Sequence, residues 1–403
     1  MLILPIMNII VQKFGGTSVA DTARLEKVAN IIKAELDSGN AVIAVVSAMV
    51  GVTNSLISKC NALSPLNSAA HMREYDAALA SGEVVTSALL ALQLQKIGIK
   101  AQSLQGWQIP LKTDGTHGNA QITEASPALL KDMLAEGITP VITGFQGIAP
   151  NGAITTLGKG GSDTSAAIIA ASLEASRCDI YTDVEGIYTA DPRVVHDAKK
   201  IGVINIDELY ALCINGAKIL HPRAALAAKR YGFPIRILSS FTDNTGTVTQ
   251  IEKLDMENKI VKAITSNKNL LKVNVEYQPR QLSGILQKLS EESIEIEQIY
   301  NSCERNSSII TNLTDKNKCK KLLDSLKSAS ALKEYSLNSN ISTVTMVGYG
   351  IKSDTKLTWK IMDVLMSNDV QVLSVHSSDV TISMLINDAD NEKTIKLLHD
   401  YCF

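Results

Sequence analysis

The segment that most restricts the fold of this chain is TTLGKGGSDTSAAIIAASLEASRCDIYTD, residues 155–183. Its glycines, between residues 158 and 161, allow a close backbone approach to a ligand and conformations that other residues avoid. The apolar run 166–171 predicts a helix buried on most sides, and 178–182 predicts a short interior strand. Because a helix start presents free N–H groups to an anion, this succession predicts a phosphate-handling site in an α/β fold.

Strand-like and helix-like segments alternate through residue 250, which predicts a three-layer α/β/α domain with a mainly parallel sheet. The pattern predicts strands at 8–14, 41–47, 102–104, 138–143 and 235–238, and helices through 69–96. The composition changes after Asp243, where DNTGT predicts a turn. A β-α-β-β-α pattern then occurs twice, which predicts two small α/β units behind the first domain.

Length and charge restrict the class of protein. A chain of 403 residues with 45% hydrophobic content is expected to fold into two or three domains. A net charge of −2 gives no electrostatic footprint for nucleic acid or an anionic membrane, and no uninterrupted apolar run reaches the length of a bilayer span. The six cysteines are scattered, which favours reduced thiols in the cytoplasm, and the six histidines lack metal-ligand spacing. We expect residues 1–7 to be a dispensable extension.

A second glycine site follows the first predicted strand, in VQKFGGTSVAD. Gly15 and Gly16 stand between a strand and a helix, which is the context that a phosphate site requires. Lys13 precedes them and would place a positive charge beside phosphates cradled by the glycine backbone. On its own, FGG is weak evidence for such a site and favours a plain turn.

Several motifs together resemble the aspartokinase branch of the amino acid kinase family. They are KFGGTSVAD at 13–21, VSAMVGVTN at 46–54, SGE at 81–83, TTLGKGGSDTSA at 155–166, YTDVEGIYTADPR at 181–193 and NGAKILHP at 215–222. The resemblance covers residues 8–240, and the C-terminal double repeat is similar to the paired ferredoxin-like (βαββαβ) ACT domains of these enzymes. It implies ATP-dependent phosphorylation of the L-aspartate side-chain carboxylate to 4-phospho-L-aspartate, the first step toward lysine, threonine and methionine.

The resemblance implies three catalytic residues. Lys13 and Lys218 match the family lysines that flank the phosphates, and Asp163 matches the aspartate that organises them. Phosphoryl transfer depends mostly on positioning and on cations around the transferred group, with Mg²⁺ bridging phosphate oxygens and arriving with ATP, so no protein metal site is expected. From the residues alone, Asp163 would be an ordinary helix cap, and both roles are compatible.

The resemblance also implies an aspartate-binding set. Glu83 matches the residue that pairs with the substrate ammonium, and Ser47, Thr53 and Ser162 match hydrogen-bonding groups around the substrate. The family usually has arginine where this chain has Lys159. Because lysine keeps the charge but lacks the two-pronged guanidinium, we expect weaker aspartate binding than in an arginine version.

For ATP, the resemblance implies contacts along the motif that follows the interior strand. Tyr188 would lie beside the adenine, although a plain core position is equally compatible with its sequence context. Arg193 would lie near the phosphates. The full expected ATP-binding set is Lys13, Gly15, Gly16, Thr182, Asp183, Tyr188, Arg193 and Lys218.

The regulatory half is expected at the C-terminus, with the kinase domain at 1–250 and ACT domains at 260–337 and 338–403, the second borrowing a strand from about 259–266. ACT domains of this family pair across subunits, which implies a homodimer or homotetramer and an effector site that would include Gln281, Leu282 and Glu297. Lysine is the expected effector because no dehydrogenase sequence follows Phe403, with threonine alone or both as alternatives. The alternative functions are an amino acid sensor with a weakened kinase half and a kinase of the same fold acting on glutamate.

Overall fold

The computed structural model describes residues 8–109, 111–251, 260–303 and 305–403. The chain forms two compact units, the first from the described residues of Met1–Tyr188, Lys200–Ile214 and Lys218–Asn258, and the second from those of Thr189–Lys199, Asn215–Ala217 and Lys259–Phe403. The expected extension at 1–7 and most of the expected boundary between residues 250 and 260 lie outside the described residues.

The first unit is built on a mixed, mainly parallel sheet, which confirms the predicted α/β class. Its elements are β1 (Ile9–Phe14), α1 (Thr22–Asp37), β2 (Ala41–Val46), α2 (Val52–Leu63), α3 (Ala69–Lys96), β3 (Ala101–Leu104), β4 (Leu111–Thr113), β5 (Ile122–Ala125), α4 (Ala128–Ala135), β6 (Thr139–Thr143), β7 (Gln146–Ile148), β8 (Ile154–Thr156), α5 (Gly161–Ser172), β9 (Arg177–Thr182), β10 (Ile187–Tyr188), β11 (Lys200–Ile201), β12 (Val203–Asn205), α6 (Ile206–Ile214), α7 (Pro222–Tyr231), β13 (Ile235–Ser239) and β14 (Thr247–Gln250). The main sheet has the order β12-β14-β13-β9-β1-β2-β6-β3, and β4, β5, β7 and β8 form a smaller sheet.

The centre of the main sheet is apolar because both of its faces are covered. All six residues of β2 are buried, and β1 lies between β2 and β9 with parallel pairing on each side. Since β1, β2, β6 and β9 run parallel, their carboxyl ends lie at one edge of the sheet. The first unit therefore offers the strand edge at which open α/β sheets bind ligands.

Helix α3 is the longest helix described and is long and apolar enough to cross a membrane by length and composition alone. Half of its most apolar 18-residue window is buried inside the fold, and it carries two buried carboxylates, Asp76 and Glu83. Asp76 accepts hydrogen bonds from the Gly118 N–H and the Thr156 hydroxyl. Its apolar residues are interrupted by polar ones in the sequence, and its buried residues are those of a core helix.

The second unit contains two four-stranded sheets covered by helices, as expected for ferredoxin-like domains. Its elements are β15 (Ala263–Asn267), β16 (Leu270–Glu276), α8 (Leu282–Glu291), β17 (Ile296–Cys303), β18 (Asn306–Asn312), α9 (Lys316–Ser328), β19 (Glu334–Asn338), β20 (Ile341–Val347), α10 (Thr355–Ser367), β21 (Val372–Ser377), β22 (Thr381–Asn387) and α11 (Asn391–Cys402), with 3-10 turns at Leu313–Asp315, Ile351–Ser353 and Asp388–Asp390. The sheet orders are β17-β18-β16-β19 and β15-β20-β22-β21. Strand β15 thus takes in one sheet the edge position that β19 takes in the other.

Two short segments that interrupt the sequence of the first unit belong to the second unit, 189–199 and 215–217. The Thr189 hydroxyl and His399 Nε2 are 2.9 Å apart and hydrogen-bonded. Gly216 has φ +104°, and an added Cβ would lie 2.4 Å from the Ser266 carbonyl oxygen. These close contacts require glycine at residue 216 and hold both segments within the second unit.

Candidate active site

A cavity of about 340 Å³ lies in the first unit where strands β1, β2 and β6 end and helix α5 begins. It is lined by Lys13, Gly16, Ser47, Ala48, Met49, Val50, Gly51, Thr53, Asn54, Glu83, Phe145, Gly158, Lys159, Gly160, Gly161, Ser162 and Asp163. The fold therefore brings together motifs that are up to 150 positions apart in the sequence, because Lys13 and Asp163 both line the cavity. All of the residues expected to bind aspartate are among its lining residues.

The glycine-rich loop leads into α5 without a side-chain cap. The N-cap is Gly160, with φ +71°, and the helix begins at Gly161. The interpretation of Asp163 as the helix cap is wrong, because the N-cap is the left-handed Gly160, three residues before Asp163, which lies in the first turn of the helix. The uncapped first turn leaves backbone donors and the positive end of the helix dipole available to an anion.

Lys13 and Asp163 form an ion pair inside the cavity. Lys13 Nζ lies 2.7 Å from Asp163 Oδ1, and the two side chains are 11% and 13% exposed. Asp163 Oδ2 also accepts the His221 N–H at 3.2 Å. The carboxylate therefore holds the lysine ammonium at the end of β1, beside the start of α5.

The two glycines after β1 allow the backbone to pass close to Lys13 and to the neighbouring strand. Gly15 donates its N–H to the Tyr181 carbonyl at 3.1 Å, and an added Cβ there would lie 3.5 Å from Lys13 Nζ. A Cβ at Gly16 would lie 2.8 Å from the Ala48 carbonyl oxygen, closer than real Cβ contacts. Gly16 is therefore required by the packing against Ala48.

Glu83 is the most unusual ionisable group of the cavity. Its side chain comes from the middle of α3, is 3% exposed, and accepts the Ala48 N–H through Oε1 at 3.0 Å. Its second oxygen, Oε2, is buried and has no hydrogen-bond partner among the described residues. Burial raises the pKa of Glu83 to about 7, against the lowering effect of the Ala48 N–H. A buried carboxylate with one free oxygen is suited to a cationic ligand group.

The other expected aspartate-binding residues surround Glu83. Ser47 follows β2, where its N–H donates to the Phe14 carbonyl at 3.1 Å, and Thr53 lies in the first turn of α2. Lys159 is exposed in the glycine-rich loop, whereas Ser162 is buried in the first turn of α5. One cavity thus combines a buried anion, an exposed cation and several hydroxyl groups.

Several of the residues expected to bind ATP lie outside this cavity. Thr182 ends β9, next to β1, and its hydroxyl donates to Asp183 at 3.0 Å, while Tyr188 ends β10 and has its pKa raised by burial and by Glu185. Lys218 is exposed in the loop before α7. None of these side chains is part of the cavity lining described above.

Arg193 does not lie in the first unit. It belongs to the segment 189–199 of the second unit, where its guanidinium pairs with Asp191 at 2.6 Å and its side chain is 84% exposed. The structure therefore does not bring Arg193 together with Lys13 and Gly15 in one compact unit.

His221 is a structural residue in this fold. It is the N-cap of α7, its Nδ1 accepts the Arg223 N–H at 3.3 Å, and Pro222 occupies the first turn. Burial lowers its pKa, which suits a neutral ring that accepts this bond.

Phe145 is a cavity residue that the sequence analysis missed. It follows β6 with φ +69°, a strained conformation for an aromatic residue, and its N–H donates to the Ser165 hydroxyl at 3.1 Å. A Cβ at the preceding Gly144 would lie 2.7 Å from the Ser162 Cβ. The glycines that flank Phe145, in TGFQG, were the available signal that the backbone turns tightly at this point.

Comparison with known proteins finds two family matches in the chain. Residues 8–239 match the amino acid kinase family, and residues 336–400 match an ACT domain. The aspartokinase of Rickettsia felis is 47% identical over 398 residues, covering 98% of this chain and 99% of that protein. Aspartokinase 2 of Bacillus subtilis is 36% identical over 400 residues, covering 98% and 97%.

Solved structures of similar fold include two states of one enzyme. Escherichia coli aspartokinase III in complex with aspartate and ADP, in its R-state, matches with a TM-score of 0.83 and 25% identity, covering 97% of this chain and 99% of that one. The same enzyme in complex with lysine and aspartate, in its T-state, matches with a TM-score of 0.74 and 26% identity, covering 98% and 100%.

Proposed function

This chain belongs to the aspartokinase family, and we propose that its reaction takes place in the cavity between Lys13 and Glu83. The reaction is the ATP-dependent phosphorylation of the L-aspartate side-chain carboxylate to 4-phospho-L-aspartate, the first step toward lysine, threonine and methionine. Membership of the family establishes this aspartate kinase activity. The proposal concerns which residues carry it.

The observation that carries the proposal is the buried Glu83 carboxylate with its free Oε2. We propose that the aspartate ammonium binds there, because a cation at this oxygen would relieve the cost of burying an ionised carboxylate. Aspartate brings one ammonium and two carboxylates. The cavity lining offers charges that match these groups, since it includes Lys13 and Lys159 as well as Glu83.

The rest of the aspartate molecule would be held by cations and hydroxyl groups. Lys159 would face the α-carboxylate, while Ser47, Thr53 and Ser162 would donate hydrogen bonds to the substrate. Lysine offers a point charge where the guanidinium of arginine offers two parallel donors. The α-carboxylate would therefore be held less rigidly than by arginine.

The transfer step would be supported by charge at the end of β1. Lys13, held by Asp163 at 2.7 Å, and the open N-terminus of α5 would stabilise the negative charge of the transferred phosphoryl group, with Gly15 and Gly16 passing beside it. Lys218 would add a second cation. The acceptor carboxylate is already ionised at neutral pH, so no general base is required of Asp163.

ATP is the nucleotide that the family implies, and the R-state structure of the E. coli relative contains ADP. We propose that Thr182, Asp183 and Tyr188 contact the nucleotide from the end of β9 and from β10. Asp163 is already engaged by Lys13 and the His221 N–H, which fits a Mg²⁺ held mainly by phosphate oxygens and water. Bound in this way, Mg²⁺ would neutralise phosphate charge.

A single assay tests the proposed reaction. Purified protein with ATP and Mg²⁺ is given aspartate or glutamate in hydroxylamine, which traps an acyl phosphate as a hydroxamate. We expect product with aspartate and little with glutamate. Product with glutamate alone would favour the alternative kinase, and product with neither acid would favour the amino acid sensor.

The second unit is proposed to regulate the kinase. We propose an effector site at Gln281, Leu282 and Glu297 of the first ACT domain, where burial, with Glu295 nearby, raises the pKa of Glu297. Lysine is the preferred effector because the T-state structure of the E. coli relative contains lysine. Adding lysine, threonine or both to the hydroxamate assay identifies the effector.

Further proposals concern organisation. We propose a kinase domain at 1–250 and ACT domains at 260–337 and 338–403, the second completed by β15, which pairs with β20. We also propose a homodimer or homotetramer assembled through the ACT domains, in the cytoplasm, without nucleic acid or membrane partners. Light scattering of the purified protein, with and without lysine, tests the assembly.

A further inference from the structure

Arg223 joins two segments of the first unit that the sequence leaves far apart. It lies in the first turn of α7, and its side chain is half-buried. Nη1 donates to the Leu157 carbonyl at 2.9 Å, and Nη2 donates to the Ala120 carbonyl at 2.8 Å. Leu157 directly precedes the glycine-rich loop, and Ala120 lies between β4 and β5. One guanidinium therefore connects the base of the glycine-rich loop to the connection between these two strands.

The loop that Arg223 holds is closed by one internal backbone bond, from the Gly161 N–H to the Gly158 carbonyl at 3.0 Å. Gly158 and Gly160 have φ +76° and +71°, and glycine backbones are the least restricted of all residues. Lys159 lies between these two glycines, and its own side chain is exposed. Contacts from outside the loop therefore contribute to the direction in which Lys159 points.

The first turn of α7 supplies that support at further points. The His221 N–H donates to Asp163 at 3.2 Å, and the His221 ring packs against Gly160 so closely that an added Cβ would lie 2.3 Å from it. Together with the Arg223–Leu157 bond, this turn contacts the loop at its base, at its end and at the helix that follows. A planar guanidinium with two fixed donors suits this function better than a flexible ammonium.

We propose that Arg223 is a positioning residue for aspartate, which acts by holding the loop so that Lys159 meets the substrate α-carboxylate. The proposal rests on the proposed function. It predicts a specific kinetic signature, because the loop borders the aspartate side of the cavity: loss of Arg223 raises KM for aspartate and leaves KM for ATP nearly unchanged.

The test uses full-length Arg223→Met, Arg223→Lys and Arg230→Met proteins in the hydroxamate assay. Arg230 is an exposed arginine of the same helix, seven residues further on, and is the matched control. We expect Arg223→Met to raise KM for aspartate roughly ten- to hundredfold, as a misplaced substrate group does. Arg223→Lys is expected to lie between it and the wild type, and added guanidinium ion is expected to restore part of the lost affinity in Arg223→Met.

A double-mutant cycle with Lys159→Ala tests whether Arg223 acts through Lys159. If it does, Arg223→Met adds less than about twofold to KM for aspartate once Lys159 is absent. The proposal would be overturned if the double variant raised KM for aspartate by the product of the two single-variant increases. It would also be overturned if Arg223→Met raised KM for aspartate and KM for ATP equally. If Arg223→Met fails to fold, Arg223→Lys decides the question, and a KM equal to that of the wild type overturns it. Failure of the proposed function would be recognised separately, because wild type and Arg230→Met would then also lack product.

Discussion

Replacing Glu83 by glutamine should make the unliganded protein more stable at alkaline pH while weakening its binding of aspartate. Glu83 is 3% exposed, its Oε1 accepts the Ala48 N–H, and its Oε2 has no partner among the described residues. Ionisation therefore places a charge in a buried site with one compensating hydrogen bond. Glutamine keeps the size of the side chain and removes that charge.

The magnitude follows from the pKa. Burial raises the pKa of Glu83 from 4.5 to about 7, so the folded state binds this proton more tightly than the unfolded chain does. The contribution of Glu83 to stability is thus fully present below pH 4.5 and is lost as the pH rises through about 7. The elevation of the Glu83 pKa from 4.5 to about 7 corresponds to about 3 kcal/mol of unfolding free energy, which is an upper value for the wild type without substrate. The glutamine variant does not suffer this loss.

The effect on activity has the opposite sign. A hydrogen bond to a charged group contributes about 1.5–3 kcal/mol, so the loss of the ammonium–carboxylate pair should lower kcat/KM for aspartate by roughly 10- to 150-fold. In the wild type, kcat/KM should rise as the pH passes about 7 and the carboxylate forms. This rise should be absent in Glu83→Gln.

Two measurements decide the outcome, urea unfolding at pH 5 and pH 8 without substrates and kcat/KM for aspartate across the same range. Glu74→Gln is the matched control, because Glu74 lies on the same helix with its side chain 70% exposed. A Glu83→Gln protein no more stable than the wild type at pH 8 would refute the burial argument. An unchanged kcat/KM would refute the assignment of Glu83 to the ammonium.

Three further predictions concern the glycine-rich loop and the transfer cluster. Lys159→Arg should lower KM for aspartate because the guanidinium can bind the α-carboxylate with two hydrogen bonds, and an unchanged KM would count against this role. Gly160→Ala should destabilise the fold by about 1–3 kcal/mol and abolish most activity, because the φ of Gly160 is +71° and the added Cβ would meet the His221 ring. The control Gly152→Ala should keep its activity, because Gly152 has φ +79° but open space around it. Equal activities of the two variants would contradict the proposed packing of the glycine-rich loop. Asp163→Asn should lower kcat by about 10²–10³ with a smaller change in KM for either substrate, because Lys13 loses its ion-pair partner, and a normal kcat in steady-state assays would exclude this role.

Much of the fold followed from local sequence patterns. The wholly apolar β2 and the run before Ser172 in α5 were recognisable because a strand covered on both faces and a buried helix need continuous apolar residues. The family resemblance then supplied the residues that we propose to bind aspartate, and the cavity lining contains all of them. The motifs could not show how deeply each side chain is buried in the cavity or which charged group it pairs with.

The residues that the sequence did not reveal depend on contacts between distant segments. Phe145 is strained, and Arg223 bonds to Leu157 and Ala120, but neither has a local pattern that separates it from an ordinary loop or helix residue. Arg193 appeared in one motif with Tyr188, yet the chain passes into the second unit between them. Sequence proximity did not determine which compact unit each residue joined.

The sequence by itself determined the family, the reaction and the residue types available to it, because motif order and glycine spacing are properties of the chain. Only the tertiary structure decided that Glu83 is buried with a free oxygen, that Lys13 is held by Asp163, and that α7 supports the glycine-rich loop. The physical reason is that burial, charge pairing and loop direction arise from segments that meet only after folding.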